Sequence, residues 1–207
     1  MIELRAHTEA VKETLSEKKL TPVEDSAGVT RLMIVGCEMR DVQLLGPYNE
    51  VGIQVPVEPV GQSSCETYAH LYLPVTSEAA RWGGVDILGM PKFIAKIDVE
   101  RSGDRDTCRL AEAGAQIFEY SLKHRDGGPR KSEVWAFHSN RDGQILETGV
   151  EMEANFIESE DTDDVTFELG SHPVAKQLDD MLVSPEVHRV TIAQNISSVL
   201  KRPIKVP

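Results

Sequence analysis

The stretch Gly84-Val85-Asp86-Ile87-Leu88-Gly89-Met90-Pro91-Lys92-Phe93-Ile94-Ala95-Lys96 decides how this chain is read. From Lys92 onward, Lys92, Ile94, Lys96 and Asp98 share one parity, and Phe93, Ala95, Ile97 and Val99 share the other. That alternation is the period of a half-buried strand, expected over Lys92 to Glu100. Pro91 lacks the N–H that a sheet ladder needs and suits the first strand position. A Gly-Pro turn therefore delivers a lysine onto a strand. Most lysines are solvated surface residues, whereas one held in a dry pocket is a nucleophile.

The same period recurs on both sides of this stretch. Strands are expected near Ile2 to Arg5, Val29 to Arg40, Glu50 to Val57, Thr67 to Pro74, Thr107 to Ala113, Gln116 to Lys123, Glu133 to Ser139, Ile145 to Phe156 and Asp164 to Leu169. Turn residues separate them at Ser102-Gly103-Asp104, Glu112-Ala113-Gly114, Asp126-Gly127-Gly128-Pro129 and Asp142-Gly143. Thr8 to Lys19 reads as an amphipathic helix capped by Thr8, with Val11 and Leu15 on its apolar side and Pro22 stopping it. Val75 to Trp82 reads as one or two helical turns capped by Thr76 or Ser77. The fold class is thus α+β and mainly β, an antiparallel barrel or sandwich rather than a doubly wound sheet. The acidic run Glu158 to Asp164 lacks the glycine and terminal glutamate of a calcium-binding hand and is expected as a solvated tip.

Composition narrows the function classes. The chain has 207 residues, enough for one large β-rich domain over 1–207 without disulfides. Twenty-two basic against 34 acidic residues, a net charge of −12, argue against a nucleic-acid or anionic-membrane partner. Cys37, Cys65 and Cys108 are widely spaced and show no paired motif, so free thiols in a reducing compartment are expected. No leader and no apolar run near the ~20 residues of a membrane span appears, and the expected location is cytoplasmic. The six histidines show no ligand spacing, and no metal is expected. Neither a phosphate-cradling glycine loop nor a Gly-x-Ser-x-Gly elbow occurs.

The lysine stretch resembles the Schiff-base segment of the acetoacetate decarboxylase family, in which a Gly-Arg-Glu triplet precedes an aromatic-Pro-Lys-Lys step. Gly84 and Asp86 match the triplet's first and third positions, and Pro91-Lys92 matches the Pro-Lys that carries the nucleophile. Pro47-Tyr48-Asn49-Glu50 with the alternating Val51, Ile53, Val55 and Val57 is similar to the family strand bearing an active-site glutamate. Tyr68-Ala69-His70-Leu71-Tyr72-Leu73 is similar to the strand before the lysine. Phe167-Glu168-Leu169-Gly170-Ser171-His172-Pro173 with Leu178 is similar to the late strand and its helical turn.

The resemblance implies a large antiparallel β-barrel with a few short helices and a homo-oligomer. It also implies a lyase that decarboxylates acetoacetate or a related small β-keto acid with no cofactor. Four departures stand beside it. The second lysine of the family, its known neighbouring-cation device, is Phe93 here; the triplet's arginine is Val85; and the active-site arginine would fall upstream of Met1. The remaining family carboxylate has no acidic counterpart on the strand at Thr30 to Val35, where Arg31 is the only charge.

Physical chemistry ranks these losses. A lysine attacks a carbonyl only when neutral, and at the ordinary value near ~10.4 only about one molecule in two thousand is neutral at pH 7. Desolvation lowers a buried lysine by up to ~3 to 5 units, so an apolar pocket can replace a missing cation. Glu50, Gly52 and Gln54 fall opposite the apolar face of their strand. If two polar strand faces line one cavity, Glu50 meets Lys92 as a proton-transfer carboxylate. Arg31, Tyr48, Tyr68 and His70 are the substrate-orienting candidates, and each aromatic one has the alternative of packing with its polar tip bonded. Two functional classes remain: a Schiff-base lyase, with aldolase or dehydratase chemistry on the same lysine, and a non-catalytic binder of a small ligand in the barrel mouth.

Overall fold

The computed structural model describes residues 1–16, 19–61 and 63–207. The strands in chain order are β1 (Ile2–His7), β2 (Val29–Met39), β3 (Tyr48–Pro56), β4 (Thr67–Val75), β5 (Lys92–Ile94), β6 (Lys96–Ser102) and β7 (Arg105–Glu112). They continue with β8 (Ala115–Lys123), β9 (Arg130–Arg141), β10 (Gln144–Ser159), β11 (Thr166–Leu169), β12 (Arg189–Leu200) and β13 (Ile204–Lys205). Three short α-helices accompany them: α1 (Thr8–Leu15), α2 (Glu78–Trp82) and α3 (Pro173–Met181). The sequence expectation carries α1 to Lys19, and residues 17 and 18 of that span lie outside the described residues.

Strands β12-β1-β2-β3-β4-β9-β10 pair in that order, and β10 pairs back onto β12, which closes a seven-stranded barrel. A second, four-stranded sheet runs β11-β8-β7-β6. Nearly all pairings are antiparallel, but β4 lies parallel to β9 through its first half and to β5 through its second.

Two expectations are corrected here. The strand expected over Lys92 to Glu100 is two strands in different sheets: β5 stays on the edge of β4, whereas β6 joins β7. The break falls at Ala95, whose N–H bonds Val75 O at 3.1 Å before the chain crosses over. The barrel-closing strand β12 is absent from the sequence reading. Its Val190 and Ile192 alternate, but Asn195, Ser197 and Ser198 are polar and exposed, Ile196 between them is exposed too, and Asn195 turns left-handed at φ 52° beside a register shift in β10.

Register and burial together say which face of the barrel wall is which. Leu32, Ile34, Val51, Ile53 and Val55 share one face and are buried with Ile97, Leu110, Phe118 and Leu122 of the second sheet, Leu15 of α1 and Leu178 of α3. The main apolar core therefore lies outside the barrel, between its wall, the second sheet and the helices. The opposite parity lines the lumen: Val35 opposes Gly52, Cys37 opposes Glu50, Gln54 opposes His70 and Phe137 opposes Thr148. Leu146, Thr148, Val150, Ala154 and Phe156 of β10 are also buried on that side, and none belongs to the outer core.

Gly36 is where wall and second sheet press hardest. A Cβ there would stand 2.7 Å from Tyr120 Oη and 2.8 Å from Cys108 Sγ, and the Gly36 N–H donates to that hydroxyl at 3.2 Å. We expect Gly36→Ala to destabilise the protein by about 1–3 kcal/mol through overpacking alone. Denaturant melts check this; an unchanged midpoint would show that the sheet-to-wall contact is loose.

Candidate active site

The site is built from the lysine stretch outward. Ser77 caps α2 by accepting the N–H of Ala80, and α2 runs directly into a π-helical turn over Gly83–Ile87. Such wide turns are uncommon and concentrate at functional positions. The chain then folds back on itself. Gly89 takes φ +65°, a left-handed conformation open to glycine. The N–H of Met90 bonds Gly84 O at 2.9 Å, and that of Lys92 bonds Met90 O at 2.8 Å. Arg141 of β9 clamps the turn by donating to Asp86 O at 2.9 Å and Ile87 O at 3.0 Å, and Ser139 donates to Leu88 O. Asp86 thus takes part through its backbone carbonyl, its side chain being exposed.

This turn aims Lys92 into the lumen. Lys92 opposes Leu73 in the β4–β5 pairing, and Glu50 opposes Val75 in the β3–β4 pairing. The two side chains, 42 positions apart in sequence, meet: Lys92 Nζ donates to Glu50 Oε2 at 2.5 Å. The lysine side chain is 8% exposed and the glutamate 20%. Lys92 Nζ also lies 5.6 Å from the centroid of the Tyr48 ring, a cation–π distance.

Gly84 makes room for the lysine stem. A Cβ at Gly84 would fall 2.3 Å from Lys92 Cδ and 2.6 Å from its Cε. The bare backbone of the turn is therefore one wall of the lysine's channel. Above it Tyr48, Val75 and Ala80 form a small buried cluster joined by Met39, Val42 and Leu45, so α2 and the β2–β3 loop cap this end of the barrel. Asn49 anchors the strand under the cap: its N–H donates to Thr76 Oγ1 at 2.9 Å and its amide to Ile97 O at 3.1 Å.

The polar groups around the pair are held in their neutral forms. Burial raises the Tyr48 phenol well above its ordinary value, and the neighbouring Glu50 raises it further by charge and by a hydrogen bond. Burial also pushes the Cys37 thiol up to about 11, with Glu50 adding to the effect. Both remain protonated at neutral pH and offer donors toward the carboxylate side of the site. The sequence marks Cys37 only as a free thiol; nothing local singles it out, and the β2–β3 register sets it across from Glu50.

The other candidates lie elsewhere along the lumen. His70 is buried, with its ring 4.3 Å from that of Phe137. Tyr68 opposes Pro56, six residues beyond Glu50 on β3 and about 20 Å along the strand. Its hydroxyl donates to Glu66 at 2.6 Å. Arg31 sits beyond Met33 on β2 and is ion-paired with Asp25 at 3.2 Å. Neither Arg31 nor Tyr68 joins Lys92. Phe93 points the other way and packs against the outer core. Two surface clefts, one lined by Gln144, Ile145 and Val206 and one by Phe167, Glu168 and Val187, contain neither Lys92 nor Glu50. Among the described residues no group of three or more His, Cys, Asp or Glu is placed to hold a metal ion, and no helix is long and apolar enough to cross a membrane.

The barrel thus holds a buried lysine–carboxylate pair under a capped mouth. The family model for acetoacetate decarboxylase (ADC) matches residues 1–191, and the chain belongs to that family. Its structure is similar to that of acetoacetate decarboxylase from Legionella pneumophila, at 17% identity and a TM-score of 0.75, covering 100% of this chain and 83% of the other. It is also similar to the enduracididine biosynthesis enzyme MppR, with HEPES buffer bound, at 14% identity and a TM-score of 0.69, covering 99% and 83%. An acetoacetate decarboxylase-like enzyme from Sphingomonas wittichii RW1 matches at 14% identity and a TM-score of 0.59, covering 100% and 91%. At these identities the structural likeness speaks for the fold. No curated protein matches the sequence.

The Gly84 channel yields a clean test of positioning. The clash of Gly84→Ala is with the lysine stem, which must move and carry the amine with it, so the fold should lose about 1–3 kcal/mol. We expect keto-acid trapping at Lys92 to fall by about tenfold or more, scored on the fraction that remains folded. Wild-type trapping in Gly84→Ala would show that the channel wall does not set the amine's place.

Proposed function

We propose that the protein is a Schiff-base-forming carbon–carbon lyase that decarboxylates acetoacetate or a related small β-keto acid, with Lys92 as nucleophile and Glu50 as proton-transfer carboxylate. The observation that carries this reading is the 2.5 Å contact of Lys92 Nζ with Glu50 at a lysine only 8% exposed. A carboxylate at that distance is the group to which the ammonium passes its proton. The freed amine adds to the ketone, and loss of water gives an imine whose protonated nitrogen draws electrons. The carboxylate carbon leaves as carbon dioxide and its bonding pair flows into the imine to form an enamine. Glu50 then returns a proton to carbon, and water releases the ketone and the lysine. The imine is itself the electron sink, so the reaction calls for no added cofactor.

The absence of a second lysine is compatible with this scheme. Its position, Phe93, faces the outer core, and the group beside the amine is the Glu50 carboxylate that takes part in the scheme. One observation keeps the reaction class wider than decarboxylation. MppR, similar in fold, has been seen with the condensation product of pyruvate and imidazole 4-carboxaldehyde. An aldol-type condensation by the same imine is the second reading. The non-catalytic alternative is disfavoured by a lysine and a carboxylate held together away from water, an arrangement costly to keep without use.

Incubation with acetoacetate or pyruvate and borohydride, followed by peptide mass mapping, tests the proposal. We expect one stoichiometric adduct at Lys92 that is lost in Lys92→Ala. No trapped lysine between pH 5 and 8 would end the lyase reading. Glu50→Gln should slow turnover by about a hundredfold or more while leaving imine formation partly intact. Equal loss of both steps would remove Glu50 from proton transfer.

A further inference from the structure

The turn that carries the lysine is held from outside itself. A π-helical turn ends on carbonyls that its own N–H groups do not reach, and these need other donors. From Gly84 to Leu88 every carbonyl has one. Gly84 O accepts the N–H of Met90 at 2.9 Å, and Val85 O accepts that of Gly89 at 3.1 Å. The next three are met from β9: Arg141 Nη1 donates to Asp86 O at 2.9 Å and to Ile87 O at 3.0 Å, and the Ser139 hydroxyl donates to Leu88 O. The backbone of the turn is seated on the same strand. A Cβ at Gly89 would stand 2.9 Å from Arg141 Cβ and 3.3 Å from Arg141 N.

This latch reaches the amine in two steps. The Met90–Gly84 bond ties the latched end of the turn to Gly84, and Gly84 is the wall along which the Lys92 stem runs. Lys92 has a short strand to stand on, since β5 is three residues long and pairs with β4. A lysine stem has many rotamers, so the place of its nitrogen is set by the wall more than by its own backbone. A misplacement of about 1 Å at a reacting atom can cost a rate about a hundredfold.

We propose that Arg141 is a positioning residue for the imine chemistry: by holding Asp86 O and Ile87 O it fixes the turn whose Gly84 wall sets the Lys92 amine against Glu50. This rests on the imine reading of Lys92 and adds to it a residue of another strand that acts through backbone. A guanidinium suits the task because its N–H groups lie in one fixed plane, whereas a lysine ammonium is a point charge on a flexible stem.

The test follows borohydride trapping of pyruvate at Lys92 over a range of pyruvate concentrations in the full-length protein, scored per folded molecule. We expect Arg141→Met to lower the saturating rate about tenfold while the half-saturating concentration changes less than about twofold, because binding before the covalent step is left intact. Ser139→Ala removes little volume and frees one carbonyl, and should lower the rate about threefold. In the double variant Gly84→Ala/Arg141→Met the loss should not exceed the larger single loss, since both changes act on the same stem. A multiplied loss in the double variant, or a wild-type rate in Arg141→Met, would overturn the inference and leave the lyase reading standing. Should Arg141→Met fail to fold, an unchanged rate in Ser139→Ala would overturn it equally. If pyruvate is not trapped in the wild type, the imine reading fails and this inference falls with it.

Discussion

The site depends on a single contact between an ammonium and a carboxylate taken largely out of water. Desolvating either alone costs several kcal/mol, and breaking such a pair by deleting one partner costs about 3–5 kcal/mol when both are fully buried. The surrounding structure supplies geometry that offsets this. Glu50 is fixed by ladders on both sides of β3 and by the Asn49 bonds, and Lys92 by the π-helical turn, the Gly84 channel and the Arg141 clamp. The Tyr48 ring covers the lysine, and its phenol and the Cys37 thiol stay neutral toward the glutamate.

The barrel makes that environment by an unusual division of its two faces. The apolar parity of its strands packs outward, against the second sheet and the helices, which leaves the polar parity for the lumen. In an ordinary antiparallel sheet the polar face is solvated. Here closure of β10 onto β12 turns it inward, and α2 with the β2–β3 loop caps one end. The same residues that a flat sheet would give to water become the lining of the lumen, which is how Glu50 comes to meet the Lys92 amine.

The chain belongs to the acetoacetate decarboxylase family and departs at several positions from the pattern it resembles. The departures cluster in charge rather than in shape. Val35 faces Gly52 on the lumen wall, Phe93 belongs to the outer core and Val85 sits in the turn. Among the described residues, what is seen beside the lysine is one carboxylate, Glu50, with neutral donors. Arg31, the one cation on β2, is engaged with Asp25 toward the other end of the barrel.

Much of this was legible in the order of residues. The two-residue alternation, the Gly-Pro turn before Lys92, the Ser77 cap and the polar parity of Glu50, Gly52 and Gln54 follow from local sterics and hydrogen bonding, which act between near neighbours. Phe93 was correctly set facing away from Lys92 for the same reason. Alternation, however, names two faces without saying which is inside, and it is silent on register. The break at Ala95, the parallel seams of β4, the closing strand β12 and the place of Cys37 across from Glu50 all came from pairings between distant segments. Whether a polar strand face meets water or a substrate is a property of closure, and closure belongs to the whole barrel rather than to any stretch of its sequence.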